Sequence, residues 1–158
     1  MPVFHYLSLR TFVHETEDPD RVRRALRHAA HARDVEPEET VAEGSHGNRI
    51  RILEAEVRSA KAERELFAAL ARDDPAGYAR VLDEARKRVD EHLNFFVRLD
   101  KQAAYAERTV LATDDDAITV RARLRSFPTP GENAEVLALQ ALQAFLLRCK
   151  EPKSTSHS

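Results

Sequence analysis

Residues 117–127 read AITVRARLRSF, and the alternation in this stretch decides the fold. Strand side chains point to opposite faces in turn, so Ile118, Val120, Ala122 and Leu124 share one side while Thr119, Arg121, Arg123 and Arg125 share the other. Successive guanidiniums would stand about 6.8 Å apart, at ~3.4 Å per residue. A strand that is apolar on one face only belongs to a sheet with helices on that face and solvent on the other.

The same reasoning extends in both directions. The strand ends before Pro128, which restricts the residue preceding it. Upstream, residues 93–99 and 108–112 read as two further strands, and Thr113-Asp114-Asp115-Asp116 as a turn. Residues 3–13, VFHYLSLRTFV, predict a strand with Val3, His5, Leu7, Leu9, Thr11 and Val13 on one face. Asp18-Pro19 opens a helix over 19–32, with Asp18 as N-cap and Val22 and Leu26 inward. Residues 40–43 lead through the turn EGSHGN into Arg-Ile-Arg-Ile-Leu at 49–53, a hairpin. Helical spacing covers 59–72 and 77–89, broken at Asp73-Asp74-Pro75, and again 134–149.

The order β-α-β-α-α-β-β-β-α predicts one α+β domain over residues 1–150, with an antiparallel or mixed sheet, helices on one face and the other face open. Residues 151–158 read as a polar tail.

Composition narrows the function. With 25 Lys and Arg against 27 Asp and Glu, the net charge of −2 excludes a globally basic nucleic-acid or anionic-membrane binder, so any such signal must come from patterning. Cys149 is the single cysteine, which excludes a disulfide framework and fits a reducing cytoplasm. No signal-like start and no run of about 20 apolar residues occurs, so the expectation is a cytoplasmic protein without a membrane partner.

Patterning supplies a basic signal. Arg49 and Arg51 alternate with Ile50 and Ile52, and Arg98 stands between Val97 and Leu99. If these strands turn their arginines to the same open face as Arg121, Arg123 and Arg125, a phosphate-binding surface results, because guanidinium offers a planar fork of donors. The plainer alternative is a solvated sheet face with cross-strand Arg–carboxylate pairs. Against it, the acids concentrate in the helices and turns.

Three stretches carry a family resemblance: EGSHGN at 43–48, FVRLDKQAAY at 96–105, and the Asp-Ala-Ile-Thr-Val strand that ends at a proline. Over residues 2–147 the chain resembles the archaeal RNA-binding family catalogued as predicted exosome subunits, departing from its pattern at Ser45, Arg49 and Glu107. The resemblance implies a two-layer fold similar to the ribosomal protein that binds 5S ribosomal RNA, and a role in RNA binding or processing. It implies an exposed loop of Gly44, His46, Gly47 and Asn48 beside the sheet, with Arg98, Asp100, Lys101 and Gln102 at the end of the next strand. Lys101 would then contact phosphate, Gln102 and Asn48 base edges or ribose hydroxyls, and His46, Tyr105 or an exposed Phe would stack on a base.

Catalytic signatures are missing: there is no GxxxxGK[ST], GxSxG or Cys–His pattern. His28 and His31 lack a third ligand, and Asp114 to Asp116 lack EF-hand spacing. The expectation is a non-enzymatic RNA-binding domain without cofactor or metal, tracking the backbone with Arg49, Arg51, Arg98, Lys101, Arg121, Arg123 and Arg125. Two other readings stay open. One is a protein-interaction module of an RNA-processing complex, docking through the acidic helices and the last helix; the other is a metal-free ribonuclease using His14 or His46 with Lys101.

Overall fold

The structure is a computed structural model, and it describes residues 3–32, 34–44, 47, 49–126 and 133–151. His46, Asn48 and the tail from 152 onward lie outside the described residues.

Strands β1 (Phe4–Val13), β2 (Glu38–Glu43), β3 (Arg49–Val57), β4 (Asn94–Asp100) and β5 (Ala117–Leu124) form one antiparallel sheet in the order β2-β3-β1-β5-β4. The helices are α1 (Pro19–Ala30), α2 (Ala60–Asp73), α3 (Pro75–Asp83), α4 (Lys101–Tyr105) and α5 (Asn133–Lys150). One sheet face supplies Leu7, Leu9, Leu53, Val97, Val120 and Leu124 to the core, against Leu26, Leu66, Phe67, Val81, Leu142 and Leu146 of the helices. Burying such side chains contributes roughly 1.5–3 kcal/mol each relative to exposure, which commits the sheet to a single inward phase. Phe4 and Phe67 stack at the centre and Phe145 meets both edge-on, with ring centroids 5.1–5.9 Å apart. Tyr78 ties α3 to α5 by donating its hydroxyl to the Leu146 carbonyl at 2.7 Å. Tyr78→Phe should therefore cost about 1 kcal/mol in a denaturation experiment.

The expected fold class stands, with four local corrections. First, the pairing shifts between Phe4 and Tyr6, so an extra residue in β1 turns Phe4 inward and leaves His5 exposed. Second, the expected hairpin is present but longer than read, with β2 starting at Glu38 and β3 running on to Val57, and Gly47 takes the positive φ of 76° that its turn requires. Third, residues 108–112 are not a strand. Thr109 and Leu111 donate their N–H groups to the carboxylates of Asp73 and Asp74, leaving a single bridge from Leu111 to Leu99. Fourth, α1 ends at Ala30 with His31 in the left-handed region, and α3 gives way to turns after Asp83.

The two edges of the sheet differ. β4 is covered, since Phe96 N–H reaches the Arg88 carbonyl and Asp100 N–H the Val110 carbonyl. β2 is exposed along all six residues and has no outer partner among the described residues.

Candidate nucleic-acid interface

The register places side chains on the open face row by row. Arg121 stands between Ser8 of β1 and Phe96 of β4, and Arg123 between Tyr6 and Asn94. In the next row Thr119 separates Arg10 from Arg98. Neighbouring strands run about 4.8 Å apart, so Arg10, Arg98, Arg121 and Arg123 form one patch with Tyr6 and Phe96 set among them. Phe12, two residues beyond Arg10 on the same face, is 48% exposed. Some of the cations are braced: Arg98 donates to the Asp114 carbonyl at 3.0 Å, and Arg123 to the His92 carbonyl. Sequence reasoning passed over Arg10, Tyr6 and Phe12, although the β1 alternation Tyr6, Ser8, Arg10, Phe12 holds the signal.

Other arginines fall elsewhere. Arg49 and Arg51 share the side of Leu53, Ala55 and Val57, so they lie on the helix-bearing face and not with Arg121. Arg51 bonds Glu39 at 2.6 Å, and Glu39 is held in turn by Arg23 of α1 at 3.1 Å. The buried phase of 53, 55 and 57 was readable and settles their side. Arg125 follows the last residue of β5 and donates its Nε to the Phe4 carbonyl at 3.3 Å, which takes it out of the row.

Nor is the open face uniformly basic. Its β3 and β2 half carries Glu54, Glu56 and Glu38, contrary to the expectation that these strands are poor in acids. Ser8 donates to Glu54 at 2.6 Å, and Arg121 closes a cleft of about 390 Å³ with Ser8, Glu38, Glu54 and Glu56. The face therefore has a cationic half over β4, β5 and β1 and an acidic half over β3 and β2.

The RLDKQAAY stretch does something different from what the resemblance implies. Asp100 caps α4 by accepting from the Gln102 N–H. Lys101 is 0% exposed, and its ammonium donates to the Phe12 carbonyl at 2.6 Å, Glu17 at 2.7 Å and Asp116 at 3.2 Å. All three donors are thus taken, so Lys101 is not an exposed phosphate contact. Tyr105 donates to Glu17 at 2.7 Å, with Arg21 over its ring at 5.2 Å, while exposed Gln102 and His14 both bond Asp116 at 3.2 Å. Burial alone would raise the carboxyls of Glu17 and Asp116. The hydrogen bonds they accept, from Lys101 and Tyr105 at Glu17 and from Gln102, Lys101 and His14 at Asp116, outweigh burial and hold both below the usual range. His14, Glu17 and Asp116 offer ligand atoms within 4.8 Å of one another, but the Lys101 ammonium already supplies the positive charge at that point.

With this geometry in hand, comparison with known proteins gives a family. A family model described as RNA binding matches residues 6–124. The chain belongs to this RNA-binding family. The match runs from β1 through β5. An RNA-binding protein of Pyrococcus abyssi is 33% identical over 136 residues, spanning 81% of this chain and 86% of the relative. A solved structure of a DUF54 protein from Methanothermobacter thermautotrophicus superposes with a TM-score of 0.71 at 30% identity, covering 91% of this chain and 98% of its own. One from Archaeoglobus fulgidus gives 0.72 at 24% identity, covering 90% and 99%, and shows the likeness of fold.

Proposed function

We propose that the protein binds single-stranded RNA across the β1-β5-β4 half of its open sheet face. Arg10, Arg98, Arg121 and Arg123 meet phosphates, and Phe96, Tyr6 and Phe12 offer stacking surfaces to unpaired bases. The observation that carries this reading is the adjacency, in register, of four arginines with Tyr6 and Phe96, and Phe12 beyond Arg10, on a face that no helix covers among the described residues. The acidic half over β3 and β2 repels phosphate and sets which way the strand lies. Unpaired RNA suits the patch because sequence-tolerant stacking needs bases that are free of a duplex. The cytoplasmic setting, and membership of an RNA-processing complex such as an exosome, are further parts of this proposal that rest on the sequence resemblance.

The test is a titration of fluorescent single-stranded and hairpin RNAs at two salt concentrations. Alanine at Arg10, Arg121 and Arg123 together should weaken binding across sequences and flatten the salt slope by up to about 0.7 per lost phosphate contact. Phe12→Ala should weaken it by roughly tenfold at unchanged slope, as for a lost base stack. Arg49→Ala with Arg51→Ala, on the other face, should change little. Full affinity in the folded triple variant would overturn the proposed face.

A further inference from the structure

A second cavity lies on the helix-bearing side, away from the sheet face. It has a volume of about 890 Å³ and runs along α2 to the C-terminal end of α5. Val3, Ala60, Ala68, Ala71 and Phe145 give it an apolar floor. Basic side chains dominate its rim: Lys61, Arg64, Arg72, Arg148 and Lys150 against Glu65 and Glu151. Its size falls within the usual range for small-molecule pockets, and an apolar lining with a few placed polar groups is their usual chemistry.

Two polar groups in the wall have no partner. Glu63 is 4% exposed and lines the cavity, and its side chain makes no hydrogen bond or ion pair among the described residues. The charged groups close enough to bias it are Arg64 on its own helix and Arg125 after β5, and burial outweighs both. His31, at the α1 terminus, lines the same cavity with a buried Nε2 that also lacks a partner among the described residues. Unmet buried groups cost stability unless a ligand satisfies them. An alkyl anion such as a fatty acid would answer the rim and floor but leave Glu63 and His31 unmet. A flat heteroaromatic ring with hydrogen-bonding edges, linked to a phosphate, answers the rim, the floor and both unmet groups.

We propose that this cavity binds a nucleoside monophosphate, with the base edge on Glu63 and the phosphate among Arg64, Arg148 and Lys150. Arg64, Arg148 and Lys150 all line the cavity together with Cys149. The nucleotide is either free in solution or the terminal residue of an RNA, since both present the same chemistry.

The experiment is calorimetric titration of the full chain with AMP, GMP, CMP and UMP, with adenosine and laurate as comparisons. At least one monophosphate should bind saturably, and adenosine should bind about tenfold more weakly than AMP if AMP is the ligand. Arg64→Ala with Arg148→Ala, both exposed and safe for folding, should weaken the monophosphate by about tenfold or more, and Glu63→Leu by about tenfold. Arg121→Ala, on the sheet face, should leave it unchanged, which separates this site from the RNA interface. Competition by a 5′-phosphorylated oligonucleotide would support the site as one for RNA ends, and its absence as one for free nucleotides. No saturable binding of any monophosphate at millimolar concentration, binding of laurate alone, or indifference to the double arginine variant would overturn the proposal.

Discussion

Lys101→Ala is expected to destabilise the protein by about 3–5 kcal/mol, a fall in melting temperature on the order of 10 °C, the cost of removing one partner from a buried ion pair. The ammonium is fully buried and holds together three parts of the chain: the Phe12 carbonyl at the end of β1, Glu17 before α1, and Asp116 before β5. Without it, two carboxylates lose their cationic partner and the Phe12 carbonyl loses a donor. Extending the change to Lys101→Met, Glu17→Gln and Asp116→Asn should recover much of the loss, because no unpaired charge then remains. Urea denaturation of the three proteins checks both statements. The pH dependence follows from the lowered carboxyls. A carboxyl held below its unfolded value contributes stability above the ordinary carboxylate range and loses it as pH falls through the depressed value, so the wild type should weaken in acid more than the triple variant. If Lys101→Ala kept its stability but lost RNA affinity, the residue would belong to the interface after all.

Glu63 should show the opposite sign. Burial pushes its carboxyl up to about 7, against 4.5 in an unfolded chain. Between these values the native state holds a proton that the unfolded state has lost, so stability falls as pH rises through the interval and levels off above it. The penalty above about pH 7.5 amounts to roughly 3 kcal/mol, at ~1.4 kcal/mol per unit. Glu63→Gln keeps the shape without the charge. It should match the wild type near pH 4 and exceed it by up to about 3 kcal/mol near pH 8. The difference between the two urea midpoints across pH isolates this group from every other titration. Equal midpoints at pH 8 would mean that the carboxylate finds compensation in the native state.

Much of the architecture was legible because hydrophobic period survives without tertiary information. β5 shows its two faces in eight residues, and α2 and α5 show their inward stripes in the same way. What escaped depended on partners distant in sequence. Residues 108–112 have strand-like composition, yet the carboxylates of Asp73 and Asp74 take two of the N–H groups a ladder would need. The bulge at His5 is one inserted residue without a glycine to mark it. Lys101 looked like a surface cation since nothing beside it announces burial, and its acidic partners stand 84 and 15 positions away. For the interface, alternation correctly sorted Arg121 and Arg123 from the core. The side of Arg49 and Arg51 lay in the apolar phase of Leu53, Ala55 and Val57, but a strand read only to Leu53 stops short of it, and the pairing of β3 with β1 fixes it.

The asymmetry of the sheet edges bears on how the protein behaves among its own copies. A bare strand at a sheet margin is a template on which another chain can add and start a growing assembly. β2 is such a margin, but its six residues read EETVAE. Were two copies to align antiparallel about Thr40 and Val41, Glu38 of each would lie across from Glu43 of the other, and the like charges would repel. The margin that is left open is thereby guarded against self-polymerisation while its backbone stays exposed. That guard is ionic, so salt that screens the facing glutamates would weaken it and leave the strand free to seed fibrous growth.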